Sequence, residues 1–231
     1  MNLNMKDPII IVIGGFVLND LAIKPLNLIS NRVKFIDINT FEAPFNIEVA
    51  TNKVIKIIKS YEEKVILCGY STGGLIAIKI ANLVPDILSK IILINSTPKF
   101  LSDDNWHGIK LDDFSRLEKK LENMSLEQFK QYFSTLAMHP YRDTALSKLQ
   151  SETTTKDTLA NWLQIIKTTD LKYELANISI EMLAIYATND HLVPNSNTLG
   201  NHLFNKYTLE ESSHANLNHS DLVAKIKDFI Q

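Results

Sequence analysis

The stretch Val65-Ile66-Leu67-Cys68-Gly69-Tyr70-Ser71-Thr72-Gly73-Gly74-Leu75-Ile76-Ala77-Ile78 changes character at its centre. Val65 to Cys68 is a short apolar run, the pattern of a strand buried on both faces of a parallel sheet. Thr72 to Val84 is apolar nearly all round, which predicts a helix lying against the sheet centre, and Pro85 ends it. Between them Gly69-Tyr70-Ser71-Thr72-Gly73 puts a serine on the turn from strand to helix. The turn is strained and lifts the Oγ clear of the backbone, while the flanking glycines let strand and helix pass without side-chain collisions. The following helix also aims its N-terminal dipole and free N–H groups at the serine, where they favour developing negative charge.

Outward from this turn, strands alternate with helices. Ile9–Ile13 reads as a buried strand ending at Gly14-Gly15, and Val33–Asp37 as the next. Apolar residues at 47, 50, 54, 58 and 61 mark a covering helix with Lys53, Lys56 and Lys59 on its wet face. Ile91–Ile94 and Met182–Tyr186 are further strands, with a short one around Lys206–Leu209. A last helix has apolar residues at 222, 223, 226, 229 and 230 behind a Ser220-Asp221 cap. This alternation means α/β class: a mostly parallel sheet with helices on both faces. Residues 99–175 break it with three helical patterns, one opening on the capping box Ser125-Leu126-Glu127-Gln128. They are expected to form an inserted helical lid over the C-terminal strand ends, with 1–98 and 176–231 as the core domain.

A serine hydroxyl is a poor nucleophile at neutral pH unless a histidine takes its proton and a carboxylate orients that histidine. Asp190 lies on the loop after Met182–Tyr186, and His214 lies between the short strand and the last helix. The order serine, acid, histidine is that of the α/β-hydrolase fold, which this pattern resembles. Ser71, Asp190 and His214 are therefore the expected triad. The oxyanion donors in such a fold come from the residue after the nucleophile and from the loop after the first strand, here the N–H groups of Thr72 and Phe16.

Composition narrows the alternatives. A chain of 231 residues, 45% hydrophobic and 22% charged, has material for one compact domain with a small insertion. Its net charge of -2 gives no electrostatic basis for a nucleic-acid partner. The single cysteine, Cys68, forms no internal disulfide and suits a reducing compartment, and Ile9–Ile13 is too short for a membrane span or a signal core. The expectation is a soluble cytoplasmic protein. No Cys/His cluster has metal-ligand spacing and no Gly-rich phosphate loop is present, so neither metal nor cofactor is expected.

Beyond the generic turn, Ser96-Thr97-Pro98-Lys99-Phe100, Asp104-Asn105-Trp106-His107-Gly108-Ile109 and Ile165-Ile166-Lys167-Thr168-Thr169-Asp170-Leu171 resemble the pimeloyl-[acyl-carrier protein] methyl ester carboxylesterases of biotin synthesis. The resemblance implies hydrolysis of a methyl ester at the far end of a pimeloyl chain on acyl carrier protein. The apolar lid would sheath the chain, with Trp106, Phe129, Phe133 and Met138 as wall residues, and Arg116, Lys130, Arg142 and Lys148 would meet the acidic carrier. The chain departs from the family in having Gly14-Gly15 where His-Gly is usual, in a short N-terminus that implies no leading strands, and in a lid richer in lysine than arginine. Lysine lacks the bidentate fork, so carrier binding would be weaker or placed differently. The alternatives are a broad short-chain carboxylesterase or thioesterase and, in another class, a non-catalytic binding protein of the same fold.

Overall fold

The computed structural model describes residues 7–20, 23–141, 150–194 and 204–231. Six strands, β1 (Ile10–Ile13), β2 (Val33–Ile36), β3 (Val65–Tyr70), β4 (Leu88–Ile94), β5 (Met182–Ala187) and β6 (Phe204–Leu209), form one sheet in the order β2-β1-β3-β4-β5-β6. Every pairing is parallel. Among the described residues no strand precedes β1. The chain leaves β1 for the β2 edge and then crosses back over β1 to β3, so its direction reverses between β1 and β3. The crevice beyond the C-terminal ends of such a pair is where open α/β sheets bind ligands. The register pairs Ile13 with Gly69 and Ile94 with Ile185, so the loops leaving β1, β3, β4 and β5 emerge along one rim.

Strands β1, β3 and β5 are buried at every position, as a sheet covered on both faces requires. Helix α1 (Ile47–Ile58) starts where the Asn46 carboxamide accepts the Val49 N–H, and it packs on α2 (Gly73–Leu83), whose residues are buried from Gly73 to Ala81 except Lys79. On the other side α7 (His219–Ile230) contacts β5 and the short turn Lys24–Leu28. Its cap is Asn218, not the expected Ser220-Asp221 pair. The Asn218 carboxamide accepts the Asp221 N–H, so helical geometry begins a residue before Ser220.

Between β4 and β5 run α3 (Leu111–Asn123), α4 (Leu126–Met138), α5 (Lys156–Thr168) and the short α6 (Lys172–Ala176). The Ser125/Gln128 capping box is formed in both directions. Helix α5 is fastened to the core after β2: the Trp162 indole donates to Ile38 O, the Thr158 hydroxyl to Phe41 O, and the Asn161 carboxamide bonds Phe45 in both directions.

Candidate active site

Ser71 has φ 51°, a left-handed conformation that costs a residue with a Cβ about 1–3 kcal/mol. The surrounding structure holds it there. Its N–H donates to Ile94 O, and its carbonyl accepts the Ser96 hydroxyl at 2.6 Å. A Cβ on Gly69 would lie 2.5 Å from Gly74 Cα, and one on Gly73 would lie 2.4 Å from Ile13 O, so neither position tolerates a side chain.

His214, 1% exposed, sets Nε2 2.8 Å from Ser71 Oγ and Nδ1 2.7 Å from Asp190 Oδ2. The other Asp190 oxygen accepts the N–H groups of Leu192 and Val193 at 2.8 and 2.9 Å, so this fully buried carboxylate is met by three donors. A buried charge needs such partners. The histidine is fixed from behind as well. Its carbonyl accepts from the Tyr70 hydroxyl at 2.7 Å and from Asn95 Nδ2 at 3.0 Å, and the Tyr70 ring stacks on the imidazole. Burial, together with the Asp190 charge, pushes the Tyr70 phenol well above its ordinary value, so it stays a donor. Asn95 also bonds Ser213 O and Ala187 N–H, which joins the ends of β4 and β5 to the histidine loop. The Ser213 hydroxyl and Ala215 N–H in turn donate to carbonyls at the end of α4.

Ser71, Phe16 and Thr72 open onto a cavity of about 30 Å³, whose other walls are Phe100, Ile109, Phe114, Leu117, Phe133, Leu163, Ile166 and Leu192. Neither the Phe16 nor the Thr72 N–H is hydrogen-bonded among the described residues. Of the four expected wall residues, Phe133 alone lines this space. Phe129 packs behind it, edge-on to Phe16 with ring centres 6.2 Å apart, and Met138 is buried away from the cavity. Trp106 is elsewhere, its indole donating to Lys99 O and its face covered by Lys172. Helical spacing identified the buried stripe of α4 but not which turn of it overlies the serine. The wall residues on α3 and α5 belong to stripes of the same kind.

Arg116 is exposed and paired with Asp113 on its own helix. Lys130 is not presented to a partner as expected: its side chain is 6% exposed and its ammonium bonds Glu127 one turn back. Its stem completes the apolar face and only its tip meets a charge. Arg142 and Lys148 lie outside the described residues. Among the described residues, no group of three or more His, Cys, Asp or Glu side chains is arranged to hold a metal ion, and no helix is long and apolar enough to cross a membrane.

A carboxylate, an imidazole and a hydroxyl in hydrogen-bonded series at the rim of a parallel sheet are the equipment of a carboxylic ester hydrolase. The chain belongs to the alpha/beta hydrolase fold family, whose model matches residues 59–216. It is similar to a pimeloyl-[acyl-carrier protein] methyl ester esterase of Vibrio parahaemolyticus, 29% identical over 192 residues that cover 76% of this chain and 73% of the relative. The protein of the same name from Pectobacterium atrosepticum is 30% identical over 138 residues, 57% of this chain and 54% of the relative. Among solved structures, an esterase from Exiguobacterium antarcticum superposes with a TM-score of 0.85 at 16% identity, covering 97% of this chain and 92% of that one. The enol-lactonase of Burkholderia xenovorans superposes at 0.79 and 17% identity, covering 99% and 93%. At such identities these two likenesses concern the fold.

Proposed function

We propose that the chain is a serine carboxylesterase that hydrolyses the methyl ester of pimeloyl-acyl carrier protein methyl ester, giving pimeloyl-acyl carrier protein and methanol. The observation that carries the chemical part is the unbroken series from Asp190 through His214 to Ser71, with both hydrogen bonds under 3 Å. His214 Nε2 takes the hydroxyl proton as Ser71 Oγ bonds to the ester carbonyl carbon, and Asp190 steadies the imidazolium. The Phe16 and Thr72 N–H groups receive the oxyanion. Collapse expels methoxide, which takes its proton from His214 and leaves as methanol. Water, deprotonated by the same histidine, then frees the acid from Ser71.

The pimeloyl substrate is supported by the two relatives of that name and by the apolar walls of the cavity. In this reading residues 99–175 act as a lid on a core of 1–98 and 176–231. Of the four cations that the resemblance sets against the carrier, Arg116 is the one that is both described and exposed. The tightness of the cavity favours a second reading, a short-chain esterase, because its aromatic and aliphatic walls leave little free room beside Ser71 for a long acyl chain.

One experiment separates the readings: purified pimeloyl-carrier methyl ester is incubated with wild type and with Ser71→Ala, and the carrier is weighed by mass spectrometry. Loss of the ester methyl group with wild type only is the expected result. Inactivity on the carrier substrate alongside Ser71-dependent cleavage of small aryl esters would transfer the assignment to the short-chain reading. Activity of Ser71→Ala on either would overturn the site itself.

A further inference from the structure

Asn39 is a buried side chain, 1% exposed, that the chemistry above leaves unused. It lies in the short turn Ile38–Thr40 directly after β2, the strand beside β1, and so faces the loop that leaves β1. Its Oδ1 accepts the Val17 N–H at 2.8 Å. Its Nδ2 lies 3.0 Å from Gly15 O, 3.3 Å from Leu18 O and 2.8 Å from Asp37 Oδ1. One carboxamide thus holds three backbone groups within four residues. The clamp is itself braced: Asp37 accepts the Asn39 N–H and the Ser151 hydroxyl, and the Ser151 N–H donates to Val17 O.

The Gly15 carbonyl and the Phe16 N–H belong to one planar trans peptide unit, so they point in opposite directions. Fixing the carbonyl on Asn39 fixes the N–H facing away from Asn39. The clamp matters because this loop is poorly determined from within. A Cβ on Gly15 would lie 3.0 Å from Ser71 Cβ, a tight approach, and the glycine that stands there offers little resistance to rotation of the adjoining peptide. Val17, two residues on, has φ 66°, a conformation that a β-branched residue avoids. Release of Asn39 would let the strain at Val17 relax through rotation at Gly15, and the Phe16 N–H would swing with it.

We infer that Asn39 is a positioning residue that sets the direction of the Phe16 oxyanion donor by clamping the carbonyl of the same peptide. This rests on the reading of Ser71 as nucleophile and Phe16 as donor. The test uses wild type, Asn39→Ala, Asn39→Ser and Ser71→Ala with a p-nitrophenyl ester. Rates are expressed per site titrated by the acyl burst, so that loss of folded protein does not count as loss of catalysis. Asn39→Ala is expected to lower kcat per site by roughly 10²-fold, the effect of removing an oxyanion donor, with KM little changed. The inhibition constant of a trifluoromethyl ketone, which forms a tetrahedral oxyanion on the serine, is expected to rise by a similar factor. Asn39→Ser keeps a short donor and acceptor and is expected to fall between. It carries the test alone if Asn39→Ala does not fold. Wild-type kcat per titrated site in the Asn39 variants, with Ser71→Ala inactive, overturns this inference and leaves the site reading intact. An active Ser71→Ala removes both.

Discussion

Replacing Asn95 by alanine cuts the structure where the ends of β4 and β5 meet the histidine loop. Asn95 is fully buried, and three hydrogen bonds leave its carboxamide: to Ala187 N–H, to Ser213 O and to His214 O. After the substitution the Ala187 N–H and the Ser213 carbonyl have lost these partners, while the His214 carbonyl keeps the Tyr70 hydroxyl. Two buried polar groups left unsatisfied cost about 1–3 kcal/mol each. Asn95 also has φ 45°, where alanine is worse than asparagine by about 1 kcal/mol. The sum centres near ~5 kcal/mol, which for a chain of this length lowers Tm by roughly 10–20 °C. Tyr70→Phe makes the contrast. It removes one donor from a carbonyl that keeps another, so about 1 kcal/mol and roughly 2–4 °C are expected. Because both residues hold the same carbonyl, the double variant should lose more than the sum of the two. Activity follows the position of the imidazole: a displacement of about 1 Å costs on the order of 10²-fold in kcat. Thermal melts and kcat on a p-nitrophenyl ester measure both quantities. An Asn95→Ala protein that melts within about 2 °C of wild type, less than one ordinary hydrogen bond, would refute the reasoning.

Three further outcomes follow from the same geometry. Phe133→Ala removes a cavity wall that meets Phe16 edge-on at 4.9 Å; it should cost about 3–5 kcal/mol in urea unfolding and raise the rate on longer acyl esters relative to acetate. In the segment between β4 and α3, hydrogen bonding to Lys99, helped by the Asn105 N–H, holds the Asp103 carboxyl well below the usual range. The folded value is the depressed one, so the contribution is present at neutral pH and declines once pH falls below about 4. The Tm difference between wild type and Asp103→Asn should accordingly narrow on acidification through that range, and a difference independent of pH would contradict it. Complete burial raises the Cys68 thiol, so a disulfide reagent should leave it unmodified in the native protein and label it in urea.

The parts of the molecule that were legible in the sequence are those in which one residue type answers a local constraint. Ser71 is marked because the backbone around it needs glycine at 69 and 73, and Asp190 and His214, singled out by their order after it, stand in hydrogen-bonded series with it. The strands could be read because β1, β3 and β5 are apolar without interruption. What stayed hidden depends on distance in space. Tyr70, Asn95 and Asn39 are isolated polar residues whose partners lie 144, 119 and 24 positions away, and no periodicity links them. Lys130 misled for a related reason: a lysine beside an apolar stripe reads as a surface charge, yet its stem extends the stripe while its ammonium turns back to Glu127.

The four described helices between β4 and β5 do not hold the core equally, which determines how the cavity can enlarge. Helix α5 is tied at Ile38, Phe41 and Phe45, and the end of α4 carries the Ser213 and Ala215 bonds of the histidine loop. Displacing that end of α4 would disturb His214 itself. The polar side-chain contacts of α3 run instead within the helix, Arg116 to Asp113, or to its neighbouring helices, where Glu118 meets Lys167 and Gln164 on α5 and Lys120 lies over the Tyr132 ring of α4. What binds α3 over the site is apolar: Phe114 and Leu117 line the cavity and Leu121 is buried with them. Such burial contributes about 1.5–3 kcal/mol per side chain, has no directional requirement, and is replaced when an apolar acyl chain takes the same place. Hydrogen bonds to buried carbonyls have no such substitute, because an acyl chain cannot donate. Movement of α3 is therefore the least costly way for this site to admit a chain longer than the present cavity, and it leaves Asp190, His214 and Ser71 in register.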